Sequence, residues 1–416
     1  MVRLFFSALV AWLSAMATAI QAETKPTGAE QPRPAVNEFL QSPLVFYLAK
    51  GDENACGDGC SEWIAAEGRF DEGAAARLQA FLKPAGRQRL PIFFYSGGGG
   101  QTAALAIGRL LRKHGMTAGV ARTIPRQCAI AGEQDESCRK LKRSGQVLAA
   151  AFRPDAVCAS ACVFALVGGK VRHVPASAHV GIHSGKIVWK QSDPRVKAAS
   201  RQRLASVEKT RSAEYVEQAR RYLREMGIDG GLLDAALKIP HEQVRYLSRD
   251  EIAGFGIDVR TFHQTGWFAL EIPSQPFAIF KLVVEAKGAG GKEFRTSAVR
   301  VGCDTAPKIT LNYVRGLASD QVGRWATIKF AAGNGGLTFT TPPRVVKIEM
   351  IDPATSFDLH ATYATFHFLE AAAAADSLVI TETDLQGTAP GRVVRLSTGG
   401  LCAGIELLRQ RCTTAS

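Results

Sequence analysis

Residues 157–169 read VCASACVFALVGG, and the serine in this stretch lies between two cysteines where a run of small apolar residues begins. The apolar segment before Ser160 and the helix-favouring residues after it place the serine at the predicted start of a helix. A serine there most often caps the helix by accepting a hydrogen bond from one of its first N–H groups. A nucleophile is a second use of the same position, and the flanking sequence has to decide between the two.

Upstream, residues 95–108 read YSGGGGQTAALAIG. They predict a strand that ends at Tyr95, a turn of glycines from Gly97 to Gly100, and a helix from about Gln101. Glycines at such a turn leave backbone N–H groups free to face an anion. No Lys-Ser or Lys-Thr pair follows them, which excludes a phosphate loop of the P-loop type. A flexible loop and an oxyanion hole remain as interpretations.

Downstream, residues 178–184 read AHVGIHS and predict a strand that ends at His183. A single histidine at a strand end is more often structural than catalytic. No G-x-S-x-G occurs in the chain, which excludes the hydrolases with a nucleophile elbow. The pair His241-Glu242 lacks the second histidine of a zinc-protease motif. Each of these features is weak alone, and their order along the chain carries the argument.

The chain divides into two parts by its patterns. Short apolar runs alternate with helical patterns over 43–262, which predicts an α/β domain with a largely parallel, covered sheet. Within it, helices are predicted over 139–152 and near 193–226. Beyond about residue 265 the segments are short, β-branched and separated by turns. They predict an all-β domain of sandwich or barrel type over 266–416, closed by a short helix at 403–411.

The first residues carry the pattern of an export signal. Arg3 precedes a short apolar run and then small residues, so residues 1–22 are predicted to be a cleaved signal peptide. The run is shorter than the ~20 residues that a membrane-spanning helix needs. Residues 23–42 are polar and contain prolines, which predicts a linker. We therefore expect a periplasmic or secreted protein.

The nine cysteines suit an oxidising compartment. No zinc-type Cys/His spacing is present, so disulfides are expected rather than a metal, and no cofactor is indicated. The disulfide candidates are Cys56, Cys60, Cys128, Cys138, Cys158, Cys162, Cys303, Cys402 and Cys412. Cys303 is expected to pair with Cys402 or Cys412. Cys158 and Cys162 are expected to pair with each other or with the cysteines at 128 and 138.

The formal net charge of +13 comes from basic residues that are dispersed along the chain. A solvated basic helix face explains them, and contact with an anionic cell-envelope surface is the alternative. The chain carries no recognisable nucleic-acid-binding motif, so nucleic acid is not an expected partner.

The order of glycine turn, serine and histidine resembles the ClpP-like branch of the Clp protease/crotonase superfamily. The family's S-P-G-G turn with its Thr-Ala pair is similar to Ser96-Gly97-Gly98-Gly99 and Thr102-Ala103, and its A-S-small-small motif to Ala159-Ser160-Ala161. Its later motifs are similar to Gly168, Gly169, Arg172, Pro175, Ser177, Ile182-His183, Arg245-Tyr246-Leu247-Ser248, Glu251 and Gly256-Ile257-Asp258. The resemblance covers about 43–260 and implies a ClpP/crotonase-like spiral of ββα units.

The resemblance implies an exported serine hydrolase, a peptidase acting on peptide or protein substrates. Ser160 would be the nucleophile, His183 the general base, and the N–H groups of Gly98 or Gly99 and of Ala161 the oxyanion hole. The family also implies a homo-oligomer. The CoA-thioester enzymes of the superfamily are discounted because CoA is a cytosolic cofactor.

One family position differs in this chain. The residue directly before the R-F-L-S-like stretch is an acid in the family and Val244 here. Loss of the acid from a serine-protease triad costs about 10⁴ in rate. Glu242 and Asp234 are nearby acids that are out of register. The alternatives are a serine–histidine dyad, a serine–lysine dyad that uses Lys197 or Lys209, and an inactive ClpP-like binding or scaffold protein.

Overall fold

The computed structural model describes residues 38–57, 59–128, 135–186, 201–270, 276–287, 293–303, 309–316, 326–332, 335–341, 344–348, 352–375, 377–384 and 392–413. The predicted signal peptide, most of the predicted linker and Lys197 lie outside these residues, as does the side chain of Lys209. The end of the predicted linker, Glu38–Gln41, is a 3-10 helix.

The N-terminal part is built on a seven-stranded sheet with the order β5-β6-β1-β2-β3-β4-β8. Its strands are β1 Val45–Lys50, β2 Glu62–Glu67, β3 Ile92–Tyr95, β4 Thr117–Val120, β5 Arg122–Pro125, β6 Val147–Arg153 and β8 Val171–His173. The run β2-β3-β4-β8 is parallel, as is β1-β6, whereas β1-β2 and β5-β6 are antiparallel. The mixed α/β character predicted from the sequence is therefore confirmed, with a sheet that is only partly parallel.

Two helices cross closely beside this sheet. Helix α1 is Ala74–Phe81, α2 is Gln101–Lys113, α3 is Glu136–Lys142 and α4 is Ala161–Val167. A Cβ added to Gly168, at the end of α4, would lie 2.2 Å from the Cα of Gly108 in α2. Glycine at this crossing lets the α4 backbone approach α2, which fixes the direction in which the helix after Ser160 runs.

The predicted helix over 139–152 is wrong in its second half. Helix α3 ends at Lys142, and strand β6 takes up Val147–Arg153. Gly145 lies between them with a φ of +78°, a left-handed conformation that favours glycine and interrupts a helix. The alanines of β6 favour a helix by intrinsic propensity, but pairing with β1 and β5 overrides that preference.

A second, three-stranded sheet has the order β10-β9-β7. Its strands are β7 Val157–Ala159, β9 His179–Ile182 and β10 Arg245–Tyr246. Strands β7 and β9 are parallel, with Ala159 beside Gly181, and β10 is antiparallel to β9, with Arg245 beside Ile182. The sheet therefore brings the end of β7, where Ser160 follows, next to the end of β9, where His183 follows.

Helices α5 Arg201–Glu225, α6 Gly231–Leu237 and α7 Arg249–Gly254 complete the N-terminal part. The predicted helix near 193–226 is confirmed over the described residues. Buried apolar side chains from α5 and α6, among them Tyr222, Leu223 and Leu232, join the core formed by the main sheet and α2. Among the residues that the structure describes, no helix is long and apolar enough to cross a membrane.

The C-terminal part contains two antiparallel sheets. One has the order β11-β13-β14-β15-β19-β18 with β12 paired to β13, and the other has the order β17-β16-β20-β21. The strands are β11 Phe262–Gln264, β12 Phe268–Leu270, β13 Ala278–Ala286, β14 Phe294–Cys303, β15 Ile309–Gly316, β16 Ala326–Ala332, β17 Gly335–Thr341, β18 Arg344–Ile348, β19 Asp352–Ala364, β20 Ser377–Asp384 and β21 Arg392–Ser397. Val301, Ile328, Phe330, Ile380 and Leu396 from the two sheets share one buried apolar cluster.

The β-rich part also contains helices. Helix α8 Phe366–Ala374 lies between β19 and β20, and helix α9 Leu401–Thr413 ends the described chain. The closing helix was predicted, whereas α8 was not. Thr365 caps α8 by accepting a hydrogen bond from the N–H of Phe368 at 3.2 Å, and the following run of alanines favours the helix. The predicted all-β region is thus β-rich with two helices.

Four disulfides are formed, Cys56–Cys60, Cys128–Cys138, Cys158–Cys162 and Cys303–Cys412. Of the pairings left open by the sequence, the structure selects the short bridge across Ser160 and the long bridge to Cys412. Cys402, also a candidate, is exposed and unpaired. Disulfides of this number are typical of a protein that folds in an oxidising compartment.

Candidate active site

Ser160 occupies an unusual backbone conformation at the turn from β7 into α4. Its φ is +57° and its ψ is −123°. A non-glycine residue with positive φ costs of order 1–3 kcal/mol and is enriched at functional sites. The side chain makes no capping hydrogen bond, so the structure does not use this serine as a helix cap. The hydroxyl is consequently not engaged by the helix that it precedes.

Two covalent and hydrogen-bonded constraints hold this conformation. The N–H of Ser160 donates to the carbonyl of Gly181 in β9 at 2.8 Å. The Cys158–Cys162 disulfide bridges the turn, with 5.3 Å between the two Cα atoms. Both constraints act on the backbone on either side of Ser160, and together they fix the turn against the strand that leads to His183.

The glycine turn packs directly on the serine. Gly98 has a φ of +111°, and a Cβ there would lie 2.7 Å from Ser160 Cβ and 3.2 Å from the N atom of Ala161. The turn is held from the other side by Phe70, whose N–H donates to Gly98 O at 2.9 Å and whose carbonyl accepts from Gly100 N–H at 2.6 Å. Glycine is required at 98 by both the positive φ and the close approach.

The N–H groups near Ser160 differ in whether they are occupied. The N–H of Gly98 donates to Ser96 Oγ at 3.0 Å. Within the residues that the structure describes, the N–H of Gly99 has no acceptor, and Ala161, as the first residue of α4, has no acceptor within the helix. Gly99 and Ala161 also line the cavity that contains Ser160, and Gly98 does not. Of the predicted oxyanion donors, the geometry favours Gly99 and Ala161 over Gly98.

His183 follows β9 and is half-buried. Its Nδ1 lies 2.8 Å from the carbonyl oxygen of Ser184. Burial lowers the pKa of His183 below its usual value because it disfavours the charged imidazolium; the contact with Ser184 O opposes this, nearby His241 adds to it, and Glu242 opposes it. The histidine is therefore held neutral at physiological pH, as a general base must be.

The position of the family's acid is occupied by an apolar side chain. Val244 immediately precedes Arg245, which pairs with Ile182, and its Cγ1 would lie 2.7 Å from a Cβ on Gly181. Residues 181 and 183 project on the same face of β9 and its extension. Val244 is 41 % exposed, and it stands beside His183 where the resemblance expects a carboxylate.

The two nearby acids are directed elsewhere. Asp234 on α6 forms an ion pair with Arg220 at 2.9 Å, and its side chain is 55 % exposed. Glu242 lies 3.8 Å from Lys186 and its side chain is 65 % exposed. Among the described residues, no carboxylate hydrogen-bonds to His183.

Ser160 and His183 line one cavity of about 1200 Å³. Its floor and walls are largely apolar, with Val163 and Phe164 from α4, Val216 and Leu223 from α5, and Leu232 and Leu233 from α6. In the part of the chain that the structure describes, no hydrogen bond joins the Ser160 hydroxyl to His183, and no cluster of three metal-ligating side chains occurs. The cavity thus combines a hydroxyl, an imidazole and two backbone N–H groups beside an apolar chamber.

Sequence reasoning missed His241 as a member of this site. The sequence was inspected there only for a zinc-protease motif. In the structure the imidazole of His241 lies 4.9 Å from that of His183, centroid to centroid, and both line the cavity. The two residues are far apart in the sequence, so only the pairing of β9 with β10 brings them together.

No protein-family model and no curated protein matches this chain. Two solved structures show a distant likeness. One is a mutant of the membrane-bound stomatin-specific protease 1510-N, at 10% identity and a TM-score of 0.27 over 46% of this chain and 73% of that chain. The other is invasion associated protein b from Bartonella henselae, at 10% identity and a TM-score of 0.22 over 36% of this chain and 91% of that chain. At such TM-scores neither structure defines the fold of the present chain.

Proposed function

We propose that this chain is an exported serine hydrolase, a peptidase, with a ClpP/crotonase-like arrangement of its N-terminal part. One observation carries the proposal. Ser160, in a left-handed conformation at a strand–helix turn, lines the same cavity as His183 and as Gly99 and Ala161, whose N–H groups lack a protein acceptor. Positioned hydroxyl, base and oxyanion donors are the parts that acyl transfer requires.

In this mechanism the Ser160 Oγ attacks the substrate carbonyl while His183 Nε2 accepts the hydroxyl proton. The N–H groups of Gly99 and Ala161 donate to the oxyanion of the tetrahedral intermediate. His183 then gives its proton to the leaving amine, the C–N bond breaks, and an acyl ester remains on Ser160. Water, deprotonated by His183, hydrolyses the ester and restores the serine. Gly98 contributes by its missing side chain, which lets the glycine turn reach Ser160.

The apolar lining supports a substrate with hydrophobic groups next to the scissile bond, and the size of the cavity suits a peptide. The partners proposed with this function are a peptide or protein substrate and further copies of the chain in a homo-oligomer. Contact of the basic surface with an anionic cell-envelope component and a periplasmic or secreted location belong to the same proposal. No metal or cofactor is needed for the steps described.

A binding or scaffold protein without turnover is the second candidate. Two observations favour it: Val244 stands at the family's acid position, and no hydrogen bond joins Ser160 to His183 within the described residues. A serine–lysine dyad is a further alternative. Lys186 lines the cavity and is ion-paired with Glu242, which makes it a weaker base candidate than His183.

A fluorophosphonate probe tests the proposal, because it phosphonylates only an activated serine. The signal-free protein with intact disulfides is labelled alongside Ser160→Ala and His183→Ala, with Ser144→Ala as the matched control. Ser144 is exposed and lies between α3 and β6, away from the cavity. We expect labelling of the unaltered protein and of Ser144→Ala, mapped to Ser160 by mass spectrometry, and none of the other two. Absence of labelling between about pH 6 and 9 would favour the scaffold, since a general base works near its own pKa.

A further inference from the structure

The carbonyl of Ser184 is the centre of a small network behind His183. Nδ1 of His183 lies 2.8 Å from this oxygen, and Nδ1 of His241 lies 3.1 Å from it. The N–H of Ser184 donates to the carbonyl of Ile239 at 2.9 Å. Ser184 is thus tied through both of its backbone groups to the segment 239–241, and His241 supplies the only side chain in that tie.

A carbonyl oxygen accepts hydrogen bonds and never donates them, so both Nδ1 atoms carry the proton. This fixes the tautomer of His183 and leaves the lone pair on Nε2. A general base that serves Ser160 needs that tautomer, which a carboxylate secures in a Ser-His-Asp triad. Here a backbone carbonyl makes the contact that the carboxylate would make, and the contact depends on where the carbonyl is held.

We propose that His241 is a positioning residue for His183, holding the Ser184 carbonyl so that it fixes the Nδ1–H tautomer in place of the acid that Val244 does not provide. This inference rests on the proposed function of Ser160 and His183. The site would then use a serine, a histidine, a backbone carbonyl and a second histidine in series.

Charged and titratable groups reach His183 from several segments. His241 and Glu242 come from the loop before β10, and Lys186 from the loop after β9. The remaining titratable residues that line the cavity are Arg69, Asp71, Glu72 and Tyr215. Asp71 is ion-paired with Arg77, and Glu242 with Lys186. Of these groups, a protonated His241 acts against a charge on His183, and Glu242 acts in its favour.

The test compares two substitutions of His241 by the second-order rate of fluorophosphonate labelling as a function of pH. His241→Phe keeps an aromatic ring and removes the donor, whereas His241→Asn keeps an N–H donor near the Nδ1 position. We expect His241→Phe to label at least about tenfold more slowly, because the imidazole of His183 loses its fixed tautomer. We expect His241→Asn to recover most of that loss. His114→Phe, at an exposed histidine at the end of α2, is the control and should label like the unaltered protein.

The pH profile separates positioning from a merely structural role. Both substitutions remove a group that becomes positive on acidification, so His183 should take up a proton at higher pH and the acid limb should move upward in both. A variant that is only less folded would lower the plateau without moving the limb. A rate and a profile equal to those of the unaltered protein in His241→Phe would overturn the inference.

The inference can fail separately from the proposed function. If the unaltered protein labels at Ser160 and His241→Phe changes nothing, only the role of His241 is wrong. If the unaltered protein does not label, the proposed function fails, and ¹⁵N NMR of the imidazoles still decides the tautomer. The expected spectrum shows His183 protonated at Nδ1 in the unaltered protein and a tautomer mixture in His241→Phe. An identical Nδ1–H spectrum in both would overturn the positioning role.

Discussion

The site around Ser160 and the interior of the C-terminal part treat polar groups in opposite ways. Between the two C-terminal sheets, Arg315 pairs with Asp358 at 3.2 Å and with Glu382 at 3.5 Å, and Arg392 pairs with Glu285 at 2.7 Å and with Glu382. Around Ser160, the hydroxyl and the N–H of Gly99 face a cavity without a partner among the described residues. One region satisfies its charges internally, and the other leaves its polar groups open.

The difference separates architecture from chemistry. Buried charges persist only with partners, because an uncompensated ion in the interior is costly. Polar groups without partners at a concave surface are available to a ligand instead. On this reasoning the C-terminal charge network holds two sheets together, and the search for activity belongs at the cavity. Four experiments test that division, from the largest expected effect to the smallest.

Removing Arg392 should strongly destabilise the protein without affecting the chemistry of the site. Arg392→Met leaves Glu285 and Glu382 short of a partner, and breaking a buried pair costs about 3–5 kcal/mol in the free energy of unfolding. Arg395→Met on the same strand is the control. Arg395 is exposed and contacts only Ser377 Oγ at 3.3 Å, so its loss should cost less than about 0.5 kcal/mol. Urea unfolding measures both, and equal costs would contradict the division.

A methyl group on Gly98 should disable the site with little effect elsewhere. Gly98→Ala places a Cβ 2.7 Å from Ser160 Cβ at a positive φ, so the serine turn must move away from the N–H groups of the oxyanion site. Loss of such a donor costs about 100-fold or more in rate. Gly97→Ala meets no atom within 4 Å and serves as the neighbouring control. Labelling rates of the two variants measure the effect, and a labelling rate of Gly98→Ala near that of Gly97→Ala would refute it.

Mild acid should destabilise the N-terminal part through His173. Burial, with nearby Arg260, lowers the pKa of His173 from 6.5 to about 4, while Asp258 opposes this. Since the unfolded chain binds this proton below about pH 6.5 and the folded chain does not, stability falls as the pH drops from 6.5 towards 4. Asp258, whose pKa is lowered, keeps its contribution through that window.

The substitution His173→Gln removes this titration and should make the fall in unfolding free energy between pH 6.5 and 4 shallower. His114→Gln, at an exposed position, should leave the slope unchanged. Urea unfolding at several pH values measures the slopes. The assignment of acid sensitivity to His173 is wrong if the slopes of the two variants coincide.

Restoring the missing acid should have the smallest effect. Val244→Asp puts a carboxylate beside His183, which should raise the pKa of the histidine and stabilise its cation. Because Nδ1 is already engaged by Ser184 O, we expect only a few-fold faster labelling. The acid limb should also move to higher pH. Val244→Asn is the uncharged control, and equal profiles for the two variants would show that position 244 does not act on His183.

The sequence carried the parts of this picture that depend on local pattern and order. The glycine turn, the serine at a helix start and the histidine at a strand end were all predicted from runs of adjacent residues. Helix α8 was missed although Thr365 and the alanines after Phe368 form a capped helical pattern. Strand β6 was misread because its alanines favour a helix when considered without the strands that pair with it.

Other features depend on distant segments meeting, and no local pattern announces them. His241 reaches His183 only through the antiparallel pairing of β10 with β9. The occupied N–H of Gly98 and the open one of Gly99 differ by where Ser96 Oγ lies, which is a matter of a single rotamer. The choice of Cys412 over Cys402 is set by the face of α9 that packs on the end of β14.

The disulfide across Ser160 has a consequence for timing. A bridge between Cys158 and Cys162 forms only where thiols are oxidised, and newly made chains in the cytosol are kept reduced. If Ser160 acts as proposed, its turn is closed only after the chain has left that compartment. The proteins of the cell that makes the enzyme would then be spared during synthesis, and catalysis would begin with the oxidation that follows export.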